Sequence, residues 1–147
     1  MSLKETLQED WKRALKAKEK DKVSVITMAK SAILLAEKDK GEALDDSEII
    51  SILSKEIKQR KEALEDFKKG NRQDLVHQNN FEIEVLLNYL PQQLTEEEIT
   101  EIVKEAVQAE KANTIKDMKK VMSVVIPKTK GRADGKLVSD IVKSMLN

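Results

Sequence analysis

The residues best suited to chemistry in this chain are cations. Lys128, Lys130 and Arg132 fall on alternating positions of a stretch that also holds Gly131, Asp134 and Gly135. The two glycines let the backbone turn tightly without a side-chain clash. Three cations on a glycine-containing loop can hold an anion such as a phosphate. The plainer reading is a solvated loop that joins two helices, and these residues alone leave both readings open. Lys119, Lys120 and Lys136 flank the loop and belong to the same basic set.

Other chemistry lacks its parts. His77 is the only histidine and there is no cysteine. A histidine- or thiolate-ligated metal site therefore has no partners to draw on. A Ser-His-Asp triad would have to use His77, which lies on a polar stretch with no serine nearby in sequence. The carboxylates sit almost entirely on polar helix faces, so no two stand out as an acid and base pair. Neither a Gly-Lys-Ser/Thr phosphate loop nor a Gly-x-Gly-x-x-Gly fingerprint is present. No catalytic residue, cofactor or metal is expected.

The elements that position the cations are helices. Leu3, Leu7, Trp11, Ala14 and Leu15 form one apolar stripe, predicting a helix over about residues 3 to 19. Asp21 is expected to cap a second helix, which frays into a loop at Lys38 to Gly41. Asp45 with Glu48 makes a capping box for a third helix, striped by Ile50, Leu53, Ile57, Arg60, Leu64 and Phe67, with Gly70 at its C′ position. Asn71 can cap a fourth, which Pro91 ends. Thr95 with Glu98 is a second capping box. Thr114 caps the next helix and Pro127 ends it. Asp134 caps a last helix carrying Leu137, Val138, Ile141, Val142, Met145 and Leu146. The expected fold is all-α. Residues 1–91 make a long N-terminal bundle of two helical hairpins, and residues 92–147 make a small three-helix C-terminal domain. The boundary falls between Pro91 and Thr95.

Composition agrees with that class. Four glycines, two prolines and 3% aromatics are too few for an all-β chain, which needs turns and strand formers. The net charge is zero, so no global field points to a nucleic acid or a membrane, any such signal must be local, and neither DNA nor a membrane is expected as partner. No apolar run approaches the ~18 residues of a membrane span. The start of the chain has no hydrophobic region of a secretory signal. With no cysteine, a reducing compartment fits, and the expectation is a cytoplasmic protein.

The zero total hides a split. Residues 91 to 110 carry six acids and one base, while residues 111 to 147 carry nine bases and three acids. Acids at a helix start are favourable in their own right. Lys119 and Lys120 lie early in their own helix, where that account does not reach them.

Arg60 breaks the pattern of the long domain by taking a seam slot between Ile57 and Leu64. Its stem can pack while its head reaches solvent. Alternatively it is paired with Glu56, Glu82 or Glu84 and fixes helix register. An anion site is the third option.

With these residues in view, the chain resembles the YqeY family. The matching pieces are Lys58-Gln-Arg-Lys-Glu62 with Phe67, Tyr89-Leu-Pro-x-Gln-Leu94, Lys120-Val-Met122, and Pro127-Lys-x-Lys-Gly-Arg-Ala-Asp-Gly135. Together they extend over nearly the whole chain, and the last is the most specific. That family is similar to the tail domain of the B subunit of the tRNA-dependent amidotransferase, a carbon–nitrogen ligase. The resemblance implies a helical bundle followed by a small helical domain that contacts tRNA. It does not carry over the amidotransferase reaction, whose catalytic parts belong to other domains. The family usually has glycine where this chain has Lys119 and Ser123. It often has arginine in place of Thr27 and a polar pair in place of Leu34 and Leu35.

The expectation is thus a non-catalytic accessory module that binds tRNA or the machinery that modifies or aminoacylates it. Lys119, Lys120, Lys128, Lys130, Arg132 and Lys136 would contact phosphates while shape does the recognising. The alternative is a protein-interaction module with no direct RNA contact, which the charge split supports equally well.

Overall fold

Asp45 starts the longest helix because its carboxylate accepts the Glu48 amide at 2.8 Å while Glu48 reaches back to the Asp45 amide. Such a cap contributes about 1 kcal/mol. In the computed structural model, which describes residues 1–146, the elements are α1 (Leu3–Lys16), α2 (Lys20–Lys40), α3 (Asp46–Lys69), α4 (Gln73–Leu87), α5 (Glu96–Ala109), α6 (Met118–Thr129) and α7 (Gly135–Met145). A 3-10 turn, Ile115–Asp117, leads into α6. The described residues are helical with no strand.

Two compact units divide the chain, Met1–Leu90 and a second beginning at Pro91. In the first, α1 packs chiefly on α2, and α3 on α4. Leu7, Val25, Ile26, Ile33, Ile49, Leu53 and Leu86 form its core, each 2% exposed or less. In the second, α5, α6 and α7 each touch the other two, around Ile99, Val103, Val121, Val125, Val138, Val142 and Leu146. Burying an aliphatic side chain of this kind stabilises by roughly 1.5–3 kcal/mol, which is what holds helices of 11 to 14 residues in place.

Several helix ends differ from the sequence reading. Three helices close with a non-glycine residue in the left-handed region: Lys18 at φ 59, Asn71 at φ 55 and Lys111 at φ 52. Each end has the paired bonds of a Schellman motif. In the first, the Lys18 amide donates to the Leu15 carbonyl and the Glu19 amide to Ala14. Asn71 thus closes α3 and does not cap α4, and Gly70 beside it has an ordinary φ of −81. Helix α2 does not fray at Lys38 but runs to Lys40, stopped by Gly41 at φ 82. Asp21 lies inside its first turn. The buried residue at the start of α3 is Ile49 and not Ile50. Helix α4 ends at Leu87, and a turn intervenes before Pro91.

Pro127 does not end α6, which continues to Thr129. Proline's fixed φ suits a helix, and its cost is one lost bond plus ring crowding against the carbonyl four residues back. In the last turn that cost is contained. The Lys130 amide still closes on Ile126 at 2.9 Å, and the Thr129 hydroxyl donates to Val125 at 3.1 Å.

Candidate functional site: the lysines of the second unit

Residues Thr129 to Arg132 build the corner between α6 and α7. Lys130 has φ −56 and ψ 124, Gly131 has φ 73, and the Arg132 amide donates to the Thr129 carbonyl at 2.8 Å. That is a type II turn, which requires positive φ at its third residue and so favours glycine there. Gly135 plays no such part. It is the first residue of α7, without positive φ, and a Cβ there would meet nothing within 4 Å. Asp134 caps α7 by accepting the Lys136 amide at 3.0 Å.

This turn is tied to the start of its own unit. The Leu94 amide donates to the Arg132 carbonyl at 2.8 Å, and the Gln93 side-chain amide donates to the Gly131 carbonyl at 2.8 Å. Arg132 is half-buried, and its Nε–H donates to the Gln92 carbonyl at 3.2 Å. Arg132 therefore spends part of its guanidinium on holding residues 92–94, a role that its place in an alternating basic run concealed. Gln92 and Gln93 read as featureless spacers in the sequence.

The lysines stand apart from this framework. Lys119, Lys120, Lys128, Lys130 and Lys136 are all exposed. Among the described residues every ion pair lies in the first unit, so none of these five has a carboxylate partner within 4 Å. They are not gathered on one face. Lys119 and Lys120 open α6, and Lys128 and Lys130 close it. Nine residues separate Lys119 from Lys128, which is about 14 Å of rise and roughly half a turn around the axis. Lys136 sits in the first turn of α7. Cations spread over both ends of a helix suit an extended polyanion better than one phosphate. Lysines in a first helical turn also oppose the helix dipole, so helix stability does not account for them.

Two of the neighbouring acids, Glu98 and Asp117, serve in caps. The Thr95 amide, then its hydroxyl, and more weakly Arg132, hold the Glu98 carboxyl below its ordinary 4.5. The amides of Asn113 and Thr114, with a smaller contribution from Lys120, hold Asp117 below its ordinary 3.8. Among the described residues no cluster of His, Cys, Asp or Glu could hold a metal ion. No described helix is long and apolar enough to cross a membrane.

In the first unit, Arg60 is 8% exposed. Its Nε donates to Glu82 at 2.9 Å, and one terminal nitrogen donates to the Glu56 carbonyl at 3.1 Å and to its carboxylate at 3.4 Å. The head is enclosed and bonded, so the solvent-reaching alternative does not describe it. The Arg60 carbonyl accepts from Asn79, itself buried, at 3.0 Å.

Comparison with known proteins places the chain. It is 31% identical over 143 residues to "Altered inheritance of mitochondria protein 41, mitochondrial" of Pyrenophora tritici-repentis, covering 95% of this chain and 78% of that protein. It is 40% identical over 87 residues to the protein of the same name from Lachancea thermotolerans, covering 58% of this chain and 46% of that protein. An uncharacterized protein of Schizosaccharomyces pombe is 33% identical over 79 residues, covering 54% of this chain and 64% of that protein. The chain thus spans less than two thirds of the second and third relatives. The names of the first two place them in mitochondria, which overturns the expectation of a cytoplasmic protein. Lack of cysteine is compatible with more than one compartment, so composition had no power to choose. The profile of the family described as Yqey-like protein matches residues 4–146, essentially the whole described chain, and the chain belongs to that family.

Proposed function

We infer that this chain is a non-catalytic accessory module whose second unit binds structured RNA, tRNA first. The carrying observation is the set of five exposed lysines at the two ends of α6 and the start of α7, none with an ion-pair partner among the described residues. Such groups reach phosphates on a polyanion and release its counterions. They fix position and leave recognition to shape, which fits a unit beginning at Pro91 that contains no aromatic residue to stack on bases. The resemblance to the amidotransferase B subunit's tail supports tRNA as the first RNA to try.

The test is tRNA binding by fluorescence anisotropy, with Lys128→Glu and Lys130→Glu made together. Both positions are exposed, and an unchanged helical circular-dichroism signal checks that the double variant folds. The double variant should weaken all structured RNAs alike. Arg132 is the wrong position for this experiment, because its loss also loosens residues 92–94. A second reading, docking on a protein, has Ile115 and Ile126 in its favour, apolar side chains 48% and 49% exposed beside the lysines. It gains if the double variant binds RNA unchanged.

A further inference from the structure

A groove of about 910 Å³ lies between α1 and α2 in the first unit. Leu7 and Ile33, both buried, lie beneath it, and Trp11 and Leu34 form its walls. Trp11 is the chain's only tryptophan. Its indole N–H donates to the Thr27 hydroxyl at 3.1 Å, and the Lys30 ammonium stands 4.4 Å from its ring centroid. The Lys30 ammonium also donates to the side-chain amide oxygen of Gln8. These contacts hold the ring as a fixed wall.

The two rims differ in charge. Along α1, Glu5 and Glu9 are exposed, four residues apart, and neither has an ion pair among the described residues. Along α2 the rim holds Lys30 among the uncharged Thr27, Ser31 and Leu34. The Lys4–Glu37 bridge at 2.9 Å closes one end. From Val23 to Ala36 the chain has one charged residue, Lys30, although 37% of the whole is charged. A water-facing helix surface is ordinarily polar, yet Leu34 on the groove rim is 54% exposed. Exposed apolar surface beside a groove of this kind marks a contact site.

We propose that the groove docks an amphipathic helix of a partner protein, apolar on one face, with lysine or arginine at i and i+4 along the edge that lies over Glu5 and Glu9. A groove between two helices is the standard seat for such a ligand. Its length along α1, from Ser2 to Trp11, is about 14 Å, enough for two to three turns of the incoming helix. The carboxylates oppose an anionic lipid surface, and the Lys30 ammonium already covers the indole face where a nucleobase would stack. This surface lies in the first unit and does not depend on RNA binding by the second.

The probe is a synthetic tryptophan-free helical peptide of about 15 residues, leucine on one face, with two edge lysines at i and i+4. Its control has glutamate at those two positions. Trp11 fluorescence in the full chain reads occupancy of the groove directly. The lysine peptide should shift the emission to the blue and bind about tenfold tighter than the control, a charge-pair effect of ordinary size. Glu5→Lys with Glu9→Lys should reverse that preference. Leu34→Glu should abolish binding with helicity unchanged by circular dichroism. Four results would overturn the proposal: no emission change up to about 1 mM peptide, the weakest range of specific affinity; equal binding of both peptides; a preference unaffected by the double reversal; or dimerisation of the free chain in sedimentation that Leu34→Glu abolishes, which makes a second copy the occupant.

Discussion

The Nε of Arg60 lies 2.9 Å from Oε1 of Glu82, across the seam between α3 and α4. Glu82 turns its other oxygen to the Gln78 side-chain amide at 3.0 Å, so both of its oxygens are engaged. A guanidinium enclosed this far is tolerable only with such partners. It fixes which residues of α4 face α3, because slipping the pair leaves Glu82 without its cation and Arg60 with Glu56 alone. Arg60→Ala should cost on the order of 3 kcal/mol in urea unfolding. Arg60→Met should cost less, since it keeps the stem volume beside Met28, whose sulfur sits 3.8 Å from the guanidinium. Equal and negligible losses from both would mean that the pair does not secure the seam.

Tyr89 joins the last turn of the first unit to α1. Its hydroxyl donates to Asp10 at 2.6 Å, and the residue is 8% exposed. Burial, then the bond to Asp10, raises the phenol well above its ordinary 10.0. A group whose folded value is raised stabilises fully below its unfolded value and loses that contribution as pH climbs through the folded one. Tyr89→Phe should therefore be less stable than the native chain by about 1 kcal/mol at neutral pH. The gap should stay constant to near pH 10 and narrow above it. Trp11 fluorescence follows unfolding of this unit, and stability curves that remain parallel through alkaline pH would contradict the assignment.

Gly131 and Gly135 look equivalent in the sequence and are not equivalent in the fold. Gly131 is buried at φ 73, whereas Gly135 opens a helix with open space where its Cβ would be. Gly131→Ala should cost roughly 1–2 kcal/mol, the strain of a left-handed L-residue. Gly135→Ala should be neutral or stabilise by about 0.5 kcal/mol through lower chain entropy in the unfolded state. Thermal unfolding of both variants checks this, and equal effects would remove the type II turn from the account.

What the sequence could reveal depended on whether a residue's role was local. The capping boxes at Asp45 and Thr95 and the apolar stripes are satisfied within a few positions of chain, so the helices were legible. The left-handed ends at Lys18 and Lys111 were not, because a lysine in that conformation carries no marker of its own, and Asn71, which suits a left-handed helix end, suits a helix start as well. Pro127 misled because a stop signal was applied to a last turn, where the helix has few bonds left to lose. Among the site residues, the lysines were recognisable as cations. Arg132 looked like one of them until its bond to Gln92, forty positions away, came into view. The groove beside Trp11 needs α1 and α2 side by side, and no single stripe announces it.

In the proposed function, the lysines of the second unit hold RNA phosphates. The most direct measurement is the dissociation constant of the full chain for tRNA across salt, from about 50 to 200 mM. Three or four neutralised phosphates predict a log-log slope in affinity of roughly −2 to −3.6, a weakening of about twentyfold to 150-fold over that range. No tRNA binding at the lowest salt, or binding whose affinity is flat across the range, would contradict the account.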